Sequence, residues 1–399
     1  MRVLALGGAG EMGIEAVRVL AHSEKVEQVV IADRDGVAGQ RAAKQIGGAV
    51  RAVQLDICEE VELAAALAGV DLVVNTVGPF DRFGPRVLAA AIEAQVDYID
   101  ICDDPQPTVD MLEFDERARA AGVCAVIGVG ASPGISNMLA MAAVGFLDTA
   151  DEVLTGWNIA AAQPGPGRAG VSAAVLHGMA QIAGKIPVVR DGEVVAEDPL
   201  RVVEIDYPGV GRATARTFGH PEPITLHRAL SGLTRSSNVV VADAVTMTAL
   251  RGLRGLVDHT PLGIERTAWI AQRLERLKPS NPADLAGSLP PLFALASGSV
   301  NGEAGSVAVA LAQVPGFTMA ENTGIPLAVG ALLVGAGRAP GVYTPETAFA
   351  PDEFFEHLAP HCIGWSAGAP MSVVTRSWAS AEENRHALRS SLLTALSEV

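Results

Sequence analysis

The first 33 residues, MRVLALGGAGEMGIEAVRVLAHSEKVEQVVIAD (1–33), decide the fold. An apolar run of strand length, Arg2–Leu6, is followed by three glycines with the spacing G-x-G-x-x-G. These are Gly8, Gly10 and Gly13. A stretch with helical periodicity comes next, and a second apolar run ends at Asp33. The order strand, glycine turn, helix, strand and acid predicts a dinucleotide-binding βαβ unit.

Each glycine of this unit has a separate expected role. Gly8 permits a tight turn, Gly10 lets a pyrophosphate approach the backbone, and Gly13 lets the helix lie close to the sheet. The backbone N–H groups at the helix start, including those of Glu11 and Met12, are expected to attract the phosphates. The alternative is a tight strand–helix turn that binds no ligand.

Asp33 stands where a carboxylate can accept hydrogen bonds from the adenosine ribose. A negative charge there repels a 2′-phosphate, which favours NAD over NADP. Arg34 follows directly and leaves three alternatives open, since it can bind that phosphate, lie over the adenine or remain a solvated loop charge. The predicted cofactor is therefore NAD, with NADP as the alternative.

Composition limits the class of protein. The chain has 399 residues, enough for two domains, and 49% of them are hydrophobic. Its net charge of −16 argues against nucleic acid and anionic membranes as partners. The four cysteines form no C-x-x-C pair, so we expect no metal site and a reducing, cytoplasmic environment. The most apolar later stretch, 325–334, is too short to span a bilayer and predicts a buried helix.

Further cofactor contacts are expected where predicted parallel strands end, because ligands collect at that edge of such a sheet. The third strand ends at Asp56 and Ile57, and Asp56 is either an acceptor for the adenine amine or a helix cap. The fourth strand runs into a Gly-Pro turn, which either approaches the nicotinamide half or is a simple β-turn. Its residues are Thr76, Val77, Gly78 and Pro79.

Candidate substrate contacts follow the fifth and sixth predicted strands. Asp103 and Asp104 are adjacent acids, of which one can act as acid or base, or both can cap a helix. Cys102 is either a polar substrate contact or a small buried residue. Ser132 is a good N-cap for the next helix, whose N–H groups suit a substrate carboxylate, and Gly130 is expected to mark the end of the first domain.

Several longer motifs resemble the saccharopine dehydrogenase family, and the best match is to its lysine 6-dehydrogenase branch. They cover most of the chain and are strongest over residues 1–140. The motifs are RVLALGGAGEMG (2–13), VDYIDICDDP (96–105), GVGASPGISNMLA (128–140), FGHPEPITL (218–226) and GVYTPE (341–346).

The resemblance implies an N-terminal Rossmann domain and a second domain with a substrate site between them. From about residue 150, short alternating runs separated by helices predict an α+β layer with a mixed, largely antiparallel sheet. The expected domains are 1–130, 131–318 and a segment 319–399 that returns to the first domain. Around GHPEP we expect Arg212 and Glu222 to bind substrate and His220 to move protons; the alternative for each is a loop residue satisfied by local hydrogen bonds. The family also implies a homodimer.

The main functional hypothesis is an NAD(P)-dependent oxidoreductase that oxidises a C–N bond of an amino acid or amine, as in lysine 6-dehydrogenase. Asp104 and His220 are the candidate acid–base residues. Two alternatives remain open: NADPH-dependent reductive condensation, as in saccharopine or carboxynorspermidine synthesis, and a catalytically silent dinucleotide-binding sensor or scaffold.

Overall fold

The structure is a computed structural model that describes residues 1–159, 171, 173–277 and 289–389. The chain divides into two compact units, each assembled from two separate segments. The first unit comprises Met1–Ile135 and Pro315–Trp365, and the second comprises Ser136–Val314 and Ser366–Val399. Strands and helices are numbered in chain order.

The first unit contains a seven-stranded sheet in which every pair of neighbours is parallel. Its strands are β1 (Arg2–Leu6), β2 (Gln28–Asp33), β3 (Val50–Gln54), β4 (Leu72–Asn75), β5 (Asp97–Asp100), β6 (Cys124–Val126) and β15 (Gly341–Tyr343). The spatial order is β3-β2-β1-β4-β5-β6-β15. The first six follow the doubly wound order of dinucleotide-binding folds, which confirms the predicted α/β class.

Helices connect these strands. They are α1 (Glu11–Ala21), α2 (Gly36–Ile46), α3 (Glu60–Leu67), α4 (Phe80–Glu93), α5 (Pro105–Leu112), α6 (Asp115–Ala121), α12 (Met319–Val334), α13 (Pro345–Ala348) and α14 (Pro351–Leu358). The predicted buried helix at 325–334 is confirmed, because α12 is buried along most of its length. It packs against α1 so closely that a Cβ on Gly324 would lie 2.3 Å from the carbonyl oxygen of Met12.

The second unit contains a nine-stranded mixed sheet. Its strands are β7 (Thr149–Asn158), β8 (Ile186–Arg190), β9 (Glu193–Glu197), β10 (Val202–Tyr207), β11 (Gly211–Phe218), β12 (Arg235–Val241), β13 (Leu292–Val300), β14 (Glu303–Leu311) and β16 (Ser372–Arg376). Seven strands run in the order β10-β11-β12-β7-β13-β14-β16, and the β8–β9 hairpin joins at β12. In this sheet only β7 and β12 pair in parallel among the described strands, so the predicted mixed, largely antiparallel sheet is confirmed.

Six helices of the described chain belong to this unit. They are α7 (Ile135–Val144), which starts at the unit boundary, α8 (Ala173–Gln181), α9 (Glu222–Ala229), α10 (Ala244–His259), α11 (Gly263–Leu277) and α15 (Ala381–Arg389). Residues of α8, α10 and α11 form one apolar cluster with Val240 of β12. In the part of the chain that the structure describes, no helix has the length and apolarity needed to cross a bilayer.

The C-terminal segment differs from its prediction. Only 315–365 belongs to the first unit, where α12, β15 and α14 lie, whereas 366–399 is grouped with the second unit because β16 pairs with β14. The boundaries between the units lie at residues 135 and 314, whereas the predicted domain boundaries were at residues 130 and 318. A single alternating run from Val188 to Val195 is in fact two strands, since Asp191 and Gly192 both take positive φ and form a hairpin turn.

Candidate functional site

The turn between β1 and α1 leaves the start of the helix accessible to an anion. Gly10 is the N-cap in extended conformation, and no side chain of the described chain caps the helix there. The first intrahelical bond runs from the N–H of Ile14 to the carbonyl of Gly10, so the preceding N–H groups at Glu11, Met12 and Gly13 have no place in the helical ladder. A Cβ added to Gly10 would meet only the carbonyl oxygen of Gly7 within 4 Å, at 3.0 Å. This space and these amides fit a diphosphate.

Close packing explains the other glycines of the motif. A Cβ on Gly13 would lie 2.4 Å from the carbonyl oxygen of Gly7 and 2.9 Å from the Cα of Gly8, which matches the predicted close approach of helix and strand. The positive φ of the turn belongs to Gly7, at +70°, rather than to Gly8. Gly8 is restricted instead by the carbonyl oxygen of Ala5, 2.9 Å from where its Cβ would be.

Asp33 lies at the end of β2, beside the glycine turn. Its Oδ2 accepts a hydrogen bond from the backbone N–H of Ala9 at 3.3 Å, and its Oδ1 accepts one from Asp35 at 3.0 Å. A carboxylate has about four lone-pair sites, so these two bonds orient the group and leave acceptor capacity for ribose hydroxyls. Arg34 is exposed next to it. The position fits the predicted ribose contact.

The residues predicted to contact the cofactor at the ends of β3 and β4 differ in their hydrogen bonds and burial. The Asp56 carboxylate accepts from the N–H of Cys58 at 2.9 Å, and this bond, the largest cause, lowers its pKa. Asp56 therefore serves a local turn, close to the capping alternative. Ile57 packs in the apolar core, and cofactor contact by this residue stays a prediction. Thr76 donates from both its N–H and its Oγ1 to the carbonyl of Leu6, each at 3.0 Å.

The Gly-Pro turn after β4 is exposed at Gly78 and Pro79 and contains a cis peptide bond. Val77 directs its N–H to Oδ1 of Asn75 at 3.0 Å. Pro79 is the N-cap of α4, so the turn joins strand directly to helix at the ligand edge of the sheet. A nicotinamide contact by this turn stays a prediction.

A buried polar chain beneath that edge was not predicted. Nδ2 of Asn75 donates to the hydroxyl of Tyr98 at 2.9 Å, and Tyr98 donates to Oδ2 of Asp100 at 2.7 Å. Oδ1 of Asp100 accepts from the N–H groups of Cys102 at 3.0 Å and Gly128 at 2.7 Å. Burial raises the pKa of Asp100 to about 6. The sequence does contain one indication of this polar chain. Polar residues stand at the ends of two apolar strands that are neighbours in the sheet, so their side chains meet at one sheet edge.

The residues after β5 have separate environments. Cys102 is fully buried, with its Sγ 3.6 Å from Oγ1 of Thr108, and burial raises the pKa of its thiol well above the usual range. This fits the packing alternative and disfavours substrate contact. Asp103 and Asp104 are half-buried. Asp104 occupies the N-cap position of α5, but within the described chain its side chain makes no capping bond, whereas its backbone carbonyl accepts from Oγ1 of Thr108 at 2.9 Å.

The predicted helix cap at Ser132 is wrong, because α7 begins three residues later, at Ile135. Ser132 precedes a cis peptide bond to Pro133, and Gly134 takes a φ of +120° before the helix starts. Gly130 closes this loop: its N–H donates to the carbonyl of Pro133 at 2.8 Å, and its own carbonyl accepts from Ile135 at 2.9 Å. The loop is thus a tight turn preceding α7, and substrate binding by Gly130 or Ser132 stays a prediction.

A second polar cluster lies in the second unit and contains two predicted residues. Glu222, the first residue of α9, is fully buried, and His220 is 4% exposed. Nδ1 of His220 lies 3.3 Å from Oε2 of Glu222. Oε1 of Glu222 accepts from Oγ of Ser136 at 2.9 Å and from Nδ2 of Asn238 at 3.2 Å. Sequence reasoning missed Ser136 and Asn238, since they come from α7 and β12, distant in sequence.

Arg212 does not belong to this cluster. It is exposed on β11, opposite Asp206 of β10, and eight residues separate it from His220. In an extended strand that separation is roughly 26 Å. The expected grouping of Arg212 with His220 is therefore wrong, because a strand carries it to the other end of the sheet.

The doubly wound sheet with an open glycine corner defines the class: the chain carries an NAD(P)-binding domain and is an NAD(P)-dependent oxidoreductase. Residues 3–126 match the family model described as "Saccharopine dehydrogenase NADP binding domain". The N-terminal segment is therefore similar to the NADP-binding domain of that family.

One solved structure has the same fold, and two relatives match the chain over most of its length. Saccharopine dehydrogenase (L-Glu forming) from Saccharomyces cerevisiae has the same fold, with a TM-score of 0.61, 16% identity and coverage of 90% of this chain and 97% of that one. The chain is 23% identical to carboxyaminopropylagmatine dehydrogenase of Synechocystis sp., over 92% of this chain and 97% of the relative. It is 22% identical to carboxynorspermidine synthase of Vibrio cholerae, over 92% and 96%.

The relatives bear on the substrate class only through their names. Neither name is that of a lysine 6-dehydrogenase, so the assignment to that branch stays a prediction. The N-terminal motifs report on dinucleotide binding and not on the substrate.

Proposed function

We propose that the chain catalyses NAD(P)H-dependent reductive condensation, joining an amine to a carboxylate-bearing carbonyl compound through a new C–N bond. The observation that carries this proposal is the open glycine corner with Asp33 beside it, since it fits the cofactor that such a reaction requires. Support for the substrate class comes from the two relatives that match nearly the whole chain.

The chemistry divides between cofactor and protein. The bound reduced nicotinamide supplies a hydride to the carbon of a C=N bond. The residues of this chain hold the diphosphate at the start of α1 and orient the ribose through Asp33. The amine loses a proton when it attacks the carbonyl, water leaves, and the imine nitrogen gains a proton on reduction. His220 is the residue we assign to this proton transfer, and Asp104 is the second candidate.

The test is a turnover screen. Purified chain is incubated with NADH or NADPH, a panel of diamines, guanidino-amines and basic amino acids, and a carboxylate-bearing aldehyde or 2-oxo acid. We expect loss of the reduced-nicotinamide absorbance only when both amine and carbonyl compound are present. With cofactor deuterated at the transferred position, mass spectrometry should find the deuterium in a secondary amine.

Two outcomes would overturn this proposal. Reduction of NAD or NADP with lysine alone, with release of ammonia, would restore oxidative deamination of the lysine 6-dehydrogenase type. Tight cofactor binding without turnover on any pair would indicate a silent dinucleotide-binding sensor or scaffold.

We also propose that the protein is a cytoplasmic homodimer. The homodimer follows from the family resemblance, and the cytoplasmic location from the unpaired cysteines, none of which is in a disulfide. Light scattering on the purified chain tests the dimer, for which a mass near twice the 41.1 kDa of one chain is expected.

A further inference from the structure

Glu222 is a buried acid whose two oxygens have different neighbours. Oε1 receives hydrogen bonds from the Ser136 hydroxyl and the Asn238 amide, whereas Oε2 faces Nδ1 of His220 at 3.3 Å. The carboxyl group is fully buried, and Ser136 and Asn238 are at most 1% exposed. An acid removed from water to this degree is stable only with hydrogen-bond donors or an opposite charge around it.

Two hydrogen-bond donors converge on Oε1 of Glu222. Nδ2 of Asn238 has hydrogens but no lone pair, and it donates to Oγ1 of Thr155 at 3.0 Å as well as to Glu222. Thr155 and Asn238 are directly opposite each other in the parallel β7–β12 pair, so the sheet fixes the orientation of this amide. Oε1 of Glu222 must therefore accept.

The orientation of His220 follows from that of Glu222. With an ionised Glu222, Oε2 is an acceptor, so Nδ1 carries the ring hydrogen and Nε2 is the nitrogen with a lone pair. Trp157 and Phe218 flank the ring, with centroids at 6.5 and 5.7 Å. These aromatic side chains restrict rotation of the imidazole. When Nε2 takes a proton, the Glu222 carboxylate stabilises the imidazolium, as in other His–carboxylate pairs.

We propose that Glu222, held ionised by Ser136 and Asn238, is a positioning residue that fixes His220 in the Nδ1–H tautomer for proton transfer at Nε2. This inference rests on the proposed function, in which His220 moves the proton of the amine or imine nitrogen. Ser136 and Asn238 act through Glu222.

Glu222→Gln is the decisive substitution because it preserves shape and removes charge. The Asn238 donor demands an oxygen at the Oε1 position, so the new NH₂ group points at Nδ1 of His220 and donates to it. The ring must then switch to the Nε2–H tautomer, and Nε2 can no longer accept. We expect kcat to fall by at least about a hundredfold, with the dissociation constant for NAD(P)H unchanged. Glu204→Gln, on an exposed position of β10, is the matched control and should keep full activity.

The tautomer has its own readout, independent of activity. In protein labelled with ¹⁵N-histidine, the His220 ring signals are assigned by their loss in His220→Gln. Wild type should show a protonated Nδ1 and an unprotonated Nε2, and Glu222→Gln should show the reverse. If wild type turns over no substrate pair, the proposed function fails, while this spectrum still tests the Glu222–His220 arrangement.

The proposal is overturned if Glu222→Gln keeps wild-type kcat, if the ring signals do not change, or if activity and cofactor binding are lost together. If Glu222→Gln fails to fold, the proposal is tested with Ser136→Ala, because this substitution removes one hydrogen-bond donor from Oε1 of Glu222. It should lower kcat severalfold with an unchanged KM, and an unchanged kcat would contradict the proposal.

Discussion

Asp33 is the side chain that we expect to select between NAD and NADP. Its carboxylate is held at the glycine turn by backbone N–H groups, where a 2′-phosphate would meet negative charge. Asp33→Ser is expected to raise the ratio of NADPH to NADH affinity by at least about tenfold, equivalent to about 1.4 kcal/mol. Fluorescence titration with both reduced cofactors measures the ratio.

Arg34 supplies the internal control for that substitution. In the double variant Asp33→Ser, Arg34→Ala the gain in NADPH affinity should shrink, since the neighbouring cation is no longer available to the phosphate. A wild-type preference for NADPH, or an unchanged ratio in Asp33→Ser, would show that Asp33 does not select the cofactor.

Because the pKa of Asp100 is raised in the folded protein, we expect the stability of the protein to depend on pH. Burial raises its pKa in the folded protein from 3.8 to about 6, so its ionised form is disfavoured by folding. The stability associated with protonated Asp100 is complete below about pH 4 and is lost as the pH rises through about 6. Relative to Asp100→Asn, which stays neutral, wild type should lose on the order of 3 kcal/mol across this window.

Denaturant unfolding of both proteins between pH 4 and about pH 8 measures the difference. The same substitution at exposed Asp206 serves as the control. Parallel stability curves for wild type and Asp100→Asn would contradict the assignment of this pH dependence to Asp100.

At the scale of elements, two 16-residue helices provide a matched pair of glycines. Gly324 in α12 is buried against α1, and a Cβ there would lie 2.3 Å from the carbonyl oxygen of Met12. Gly252 in α10 is exposed, and its Cβ would meet nothing within 4 Å. Gly324→Ala should destabilise the protein by about 1–3 kcal/mol through overpacking. Gly252→Ala should stabilise it by about 0.5–1 kcal/mol.

Thermal or denaturant unfolding compares the two variants with wild type. The account of α1–α12 packing would be wrong if Gly324→Ala were as stable as Gly252→Ala.

Elements were predictable where their signal is local. The strand–glycine–helix corner is encoded in 33 consecutive residues, and its boundaries appear almost unchanged in β1 and α1. The strands β15 and β16, with three and five residues, carry too little periodicity to be recognised, and each is formed only by pairing with a distant strand. The polar clusters around Asp100 and Glu222 are likewise tertiary, since their donors come from other elements.

At the scale of the molecule, the sequence indicated the cofactor better than the substrate. Dinucleotide binding depends on backbone amides and glycines, which a short motif specifies. Polar clusters gathered from several segments are not specified by a short motif, as Ser136, Glu222 and Asn238 show, and the misplacement of Arg212 has the same cause. The substrate class that we propose comes instead from relatives that match over nine-tenths of the chain.

Gly10→Val is the most direct test of whether the start of α1 holds the cofactor diphosphate. The extended conformation of Gly10 accepts any residue, and its Cβ would contact only the carbonyl of Gly7, so the valine mainly fills the space above the helix amides. In titrations of NADH and NADPH, we predict at least a tenfold loss of affinity, about 1.4 kcal/mol, in a variant that unfolds close to wild type, while Gly252→Ala binds normally. Unchanged affinity in folded Gly10→Val would contradict the claim.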